Sequence, residues 1–168
     1  MSFLLLYIDI SCMIDKQLIS DAVARSIVET DIFVVDIRVS AANDIVVEID
    51  SPSPLDLDTC ADISRKIEDT LDRDAEDFSL EVGTAGLTAP FKVRGQWLKN
   101  IGNDIELITR DGKKMHGRLL EVTDDDTITV GVDVKERPEG KKRPVIVNRP
   151  VSMKIADVKT ACYMISFK

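Results

Sequence analysis

Hydrophobic positions along this chain change their spacing several times, and each change marks an element. Over residues 15–30, Leu18, Ile19, Ala22, Val23 and Ile27 recur near helical spacing, with Lys16, Ser20, Asp21 and Arg25 between them. That pattern predicts an amphipathic helix, and Asp15 is placed to cap it. The period then drops to two. Phe33, Val35, Ile37 and Val39 alternate in one run, and Ile45, Val47 and Ile49 in the next. A turn over residues 40–43 makes the pair a hairpin. Asp36, Arg38 and Glu48 fall on the opposite face of those strands.

Pro52 and Pro54 break regular structure. A second helix follows, capped by Asp56 or Asp58, with the stripe Cys60, Ile63, Ile67 and Leu71 spaced three, four and four. Residues 78–82 form a third strand. Two amphipathic helices and three half-apolar strands bury their faces together when both helices cover one face of the sheet. The strand-helix-strand connection allows the third strand to run parallel to a neighbour.

The third strand runs into Gly83-Thr84-Ala85-Gly86-Leu87-Thr88-Ala89-Pro90, and beyond it only strands and one short turn are expected. Ile105, Leu107 and Thr109 alternate, Asp111-Gly112 is a hairpin signal, and residues 113–122 return. Residues 127–132 give a third run. Residues 133–143 read as a charged hairpin tip, with Lys135, Arg137, Lys141, Lys142 and Arg143 around Pro138-Glu139-Gly140. The next strand covers 145–147 and 151–153 with a bend at Pro150. One helical turn at 155–158 and a last strand at 161–167 complete the chain. Five short strands in so short a segment suggest a small closed or nearly closed barrel. The fold class is therefore α+β. Residues 13–88 form an α-β-β-α-β domain and residues 89–168 an all-β barrel. For residues 1–12 two readings stand: an extension upstream of a natural first residue at Met13, or a short extra strand.

Charge sharpens this division. The net charge is −8, but residues 1–90 hold 19 acidic and 6 basic side chains, and residues 91–168 hold 11 and 16. The halves thus carry −13 and +5. Phosphate repels the first and attracts the second, so non-specific binding of nucleic acid is open to the second and not the first, although the second could equally be the half that meets protein. The basic side chains Lys92, Arg94, Lys99, Arg110, Lys113, Lys114, Arg118, Lys141, Lys142 and Arg143 are the candidate contacts. Phosphate contact fits them better than base readout, because stacking aromatics are scarce there.

Catalytic and metal chemistry find no pattern. The three cysteines, Cys12, Cys60 and Cys162, have no short spacing and read as free thiols. His116 is the single histidine, and no spacing gives it a partner for acid–base work. Asp124-Asp125-Asp126 reads as a tight turn, and the acidic run after the second helix as a solvated end. Gly83-Thr84-Ala85-Gly86 matches a GxxG string, but in KH domains that loop joins two helices, whereas here it follows a strand. It reads as a flexible turn between the domains, with Gly83, Gly86, Leu87 and Pro90 as the hinge. Non-enzymatic binding is the expectation, with no cofactor and no metal.

In residue order and sequence the chain resembles the bacterial ribosome maturation factor RimP family. The likeness rests on Val46-Val47-Glu48-Ile49-Asp50, Ile63-Ser64-Arg65-Lys66-Ile67, Leu80-Glu81-Val82, Gly86-Leu87, Pro90-Phe91, and Gly112 with Gly117-Arg118-Leu119. The turn at 155–158 fits as well. At the junction the family usually runs Glu-Val-Ser-Ser-Pro-Gly-Leu-Asp-Arg-Pro-Leu. Here Thr88-Ala89 replaces the Asp-Arg pair, so no contact made by those charges carries over. The resemblance implies that the barrel is SH3-like (Sm-like). It also implies a cytoplasmic, non-catalytic factor that binds the immature small (30S) subunit, with 16S rRNA and a neighbouring small-subunit protein as contacts. A monomer is expected, with neither membrane nor small-molecule substrate. The alternative is a free-standing Sm-like RNA chaperone, oligomeric through its edge strands.

Overall fold

The computed structural model describes residues 13–166. Residues 1–12, and the two readings of them, lie outside it. The chain divides into two compact units. Among the described residues, one comprises 13–49 with 53–84; the other comprises 50–52 with 85–166.

In the first unit, α1 spans Lys16–Ser26 and α2 spans Leu57–Glu68. Each begins where a carboxylate satisfies a backbone donor of the first turn. Asp15 accepts from Gln17 N–H at 2.9 Å, and Asp56, the first of the two caps considered, accepts from Thr59 N–H at 2.7 Å. The chain leaves α1 before residue 30, and Glu29 adopts a φ of 65°. Strands β1 (Phe33–Val39), β2 (Asp44–Asp50) and β3 (Ser79–Thr84) form one sheet in that order. β3 runs parallel to β2, from Asp44 opposite Ser79 to Ile49 opposite Thr84. Ile19, Ala22 and Val23 from α1 and Cys60, Ile63 and Ile67 from α2 share one buried cluster with Ile37, Ile45, Val47 and Ile49. Both helices therefore cover the same face. The other face carries charge: Arg38 pairs with Glu48 at 3.1 Å and with Asp36 at 3.7 Å.

The second unit opens with a helix that the sequence pattern did not predict, α3 (Arg94–Lys99). One and a half turns are too few for periodicity to show. What sets it is a buried side chain. Gln96 Oε1 accepts from the backbone N–H groups of Lys92 at 2.6 Å and Val93 at 3.2 Å, which fixes the entry to the helix. Trp97 points into the core and meets Phe91 edge-on, with ring centroids 5.1 Å apart.

Strands β4 (Asp104–Thr109), β5 (Lys114–Val122), β6 (Thr127–Glu136), β7 (Val145–Lys154) and β8 (Val158–Tyr163) follow, with a 3-10 turn at Ile155–Asp157 before the last. They form an antiparallel sheet in the order β7-β6-β5-β4-β8. Trp97, Ile105, Leu107, Met115, Leu119, Ile128, Val130, Val158 and Ala161 make its core. Among the described residues no hydrogen-bonded ladder joins β7 to β8, so the pairing is that of a sheet with two ends and not of a closed barrel.

Two local expectations also change. β7 continues through Pro150, which stands opposite Gly131. An edge strand tolerates a proline because its outward N–H has no ladder partner to lose. β6 extends to Glu136, so Asp133, Val134, Lys135 and Glu136 belong to the ladder and not to the tip.

Candidate nucleic-acid interface

The ten cations singled out by sequence differ in how far they are engaged within the second unit. Arg94, at the start of α3, donates to the Thr123 carbonyl at 3.0 Å, pairs with Asp126 and approaches Asp124 at 3.7 Å. Arg110 donates through Nε to the Ala156 carbonyl. On β5, Lys114 pairs with Glu106 at 3.1 Å and Arg118 with Asp104 at 3.6 Å. Antiparallel register explains the last two. Asp104 stands opposite Arg118 and Glu106 opposite His116, one step from Lys114. Alternation puts Asp104 and Glu106 on the same face as Lys114, His116 and Arg118. That face is therefore charge-balanced across two strands and is not a free basic stripe.

Lys92 and Lys99 flank α3 at exposed positions, and Lys99 pairs with Asp50 of the same unit at 2.6 Å. Lys113 is exposed beside the β4–β5 turn. Gly112 supplies the positive φ, 88°, that this turn requires.

The remaining candidates, Lys141, Lys142 and Arg143, sit in the β6–β7 connection and are exposed. Among the described residues no carboxylate lies within ion-pair distance of them, nor of Lys135 and Arg137. Sequence reading placed Lys135 and Arg137 in this segment but did not select them. The alternation Val132, Val134 and Glu136 against Asp133, Lys135 and Arg137 was the available signal that β6 runs on.

The anionic side chains near the turns serve structure. Asp125 accepts from Lys154 Nζ at 2.6 Å and from the Thr123 and Thr127 hydroxyls. The Lys154 bond, followed by the Thr123 bond, holds its carboxyl far below the usual carboxylate range. Asp126 has a φ of 61°, so the Asp124-Asp125-Asp126 run does form a tight turn. Among the described residues no group of three or more His, Cys, Asp or Glu side chains could hold a metal ion. Burial pushes the Cys60 and Cys162 thiols up, so at neutral pH they stay protonated and are poor nucleophiles. His116 is exposed, and with Asp104, Arg118, Asp133 and Asn148 it lines a polar depression of about 460 Å³.

The junction glycines differ from expectation. Gly83 lies inside β3, opposite Glu48, and Gly86 accepts the Ala89 N–H at 2.9 Å. Neither has a positive φ. The GxxG string is thus half strand and half turn, and its glycines do not serve the left-handed region. Leu87 is 68% exposed, and Pro90 lies one residue before Phe91, whose N–H bonds to the Ala161 carbonyl at 2.7 Å. Among the described residues no helix is long and apolar enough to cross a membrane.

Comparison with known proteins matches residues 22–88 to the RimP N-terminal domain model. A ribosome maturation factor RimP of Porphyromonas gingivalis is 36% identical over 153 residues, covering 91% of this chain and all of that relative. The RimP proteins of Flavobacterium psychrophilum and Christiangramia forsetii are each 33% identical, over 135 and 137 residues. These cover 79% and 81% of this chain, and 86% and 88% of the relatives. The chain belongs to the ribosome maturation factor RimP family.

Proposed function

We propose that this protein binds the immature small (30S) ribosomal subunit and assists its assembly without catalysing a reaction. It would act in the cytoplasm, with 16S rRNA and a neighbouring small-subunit protein as its contacts. Family membership supplies the ribosomal role. The observation that carries the finer reading is the partition of charge: −13 before residue 91 and +5 from there on, with the cations of the β6–β7 connection lacking a carboxylate partner among the described residues. A polyanion attracts that unit and repels the acidic one, which is free to meet a basic ribosomal protein. Lys113, Lys141, Lys142 and Arg143 remain the candidate rRNA contacts, and exposed Lys92 is kept as a candidate on position alone. Lys99, Lys114 and Arg118 are weaker ones, because their charges are already balanced.

The five-stranded unit is read as an SH3-like small barrel. Two features support this: its first strand takes its last as a neighbour, and a 3-10 turn precedes that last strand. The domain boundary is taken at residues 88 and 89, with residues 85–90 as the covalent link. A monomer is the reading that the β7 edge supports. β7 carries Asn148, Arg149, Pro150 and Lys154 along its edge, and charges and proline discourage edge-to-edge pairing.

A cell lacking the protein tests the reading. Free small and large subunits should accumulate, with unprocessed 16S precursor; a wild-type ribosome profile contradicts it. Light scattering on the purified chain should give a monomer. A ring that binds short single-stranded RNA without ribosomes would instead favour an Sm-like chaperone.

A further inference from the structure

We propose that the outer part of the β6–β7 hairpin is an arm that grips the RNA sugar-phosphate backbone without reading bases. The inference rests on the ribosome-binding reading above and specifies which surface meets rRNA.

The ladder shows the arm. β5 pairs with β6 only as far as Val132, opposite Gly117. Beyond it β6 pairs with β7 alone, through Asp133–Asn148, Val134–Val147, Lys135–Ile146 and Glu136–Val145. Four pairs carry the ribbon roughly 13 Å past the three-stranded part of the sheet, at about 3.3 Å per residue. The tip is closed by a turn in which Lys141 N–H bonds to the Pro138 carbonyl at 3.2 Å, with Gly140 at a φ of 85°. A positive φ at that position is the demand of a type II turn.

The charges on this ribbon are arranged for an outside partner. Two of its carboxylates are internally occupied: Glu136 pairs with Arg149 across the strands, and Asp133 accepts from Asn148 Nδ2 at 2.8 Å. Lys135, Arg137, Lys141, Lys142 and Arg143 are exposed, and among the described residues no carboxylate lies within ion-pair distance of them. Glu139 is the acidic group left among them. Elsewhere in the unit, Arg94, Lys99, Lys114, Arg118 and Lys154 are paired, while exposed Lys113 and Lys159 stand singly and without an ion pair among the described residues. A phosphate gains most from cations that need give up no existing partner. Residues 133–149 contain no Phe, Tyr, Trp or His. Stacking on bases is therefore outside the arm's chemistry, and its contacts are electrostatic and indifferent to sequence.

The test uses the full chain, purified small-subunit precursor particles and bare 16S rRNA over a salt series. In one variant Lys135, Arg137, Lys141, Lys142 and Arg143 all become Gln. A control carries Lys114→Gln and Arg118→Gln. All seven side chains are exposed, and a melting temperature equal to wild type establishes that each variant folds. A third variant, with residues 137–143 replaced by Asn-Gly, removes the tip altogether. The arm variants should bind rRNA at least about tenfold more weakly at moderate salt. Their plots of log affinity against log salt should be shallower by roughly 3–4, at about 0.7–0.9 for each phosphate no longer neutralised. The control should stay within about twofold of wild type, since paired surface cations contribute little. Unchanged affinity and slope in the arm variants overturn the arm. A wild-type chain that binds bare rRNA through the arm but ignores precursor particles leaves the arm standing and overturns the function reading.

Discussion

A methyl group added at Gly117 would stand 2.2 Å from the backbone oxygen of Gly131, closer than two such atoms can approach. β5 and β6 meet there without room for a side chain, at the root of the arm. Gly117→Ala should destabilise the second unit by about 1–3 kcal/mol, the usual range for overpacking, and a thermal melt reads it. Gly83→Ala makes the contrast, because nothing lies within 4 Å of its would-be Cβ and its φ is not positive. It should be neutral or raise stability by less than about 1 kcal/mol.

Acid acts on single residues too. Asp56, Asp111, Asp125 and Glu136 are held below the usual carboxylate range, chiefly by bonds from Thr59, Thr109, Lys154 and Arg149 respectively. A carboxyl whose pKa is lower folded than unfolded binds its proton more readily in the unfolded state. Its stabilisation is present above the unfolded value, about 4, and is lost as pH falls through the folded value. The melting temperature should therefore hold down to about pH 5 and fall as the pH goes on towards about 2. Asp125→Asn should flatten that drop, and an unaltered profile would exclude Asp125 from it.

Elements were legible where periodicity had room to act. The stripe Cys60, Ile63, Ile67 and the alternation Ile45, Val47, Ile49 specify α2 and β2 without help from the rest of the chain, and all six residues are buried. The face bearing Asp36, Arg38 and Glu48 followed from the same alternation. α3 was not legible, because its stability comes from Gln96 and Trp97 fitting a core assembled by strands far along the chain. Gln96→Leu tests this. It removes the acceptor of the Lys92 and Val93 amides and should cost about 1–3 kcal/mol, read by denaturant melts. The continuity of β7 through Pro150 was hidden for a different reason: proline argues against a central strand, and only the final strand order shows that β7 is at an edge. Of the candidate site, sequence alone gave the basic tip. Which cations are free could not be read, since ion pairs such as Lys114–Glu106 depend on cross-strand register.

At the scale of the whole molecule, charge is divided between two units and then again within one of them. The acidic unit keeps its surface anionic, and the basic unit balances its β4–β5 face and leaves its arm unbalanced. On the proposed reading, phosphate would attract the arm and repel the acidic unit, leaving the acidic unit for a basic protein. This division follows from sequence composition, while its concentration in the arm needed the structure.

Co-sedimentation of the full chain with immature small subunits, alongside mature small subunits and complete ribosomes, tests the central claim most directly. Stoichiometric recovery with the immature particles, falling as salt rises and weak on complete ribosomes, is the predicted result. A chain that stays in the supernatant of the immature particles at low salt, or sediments equally with complete ribosomes, would contradict it.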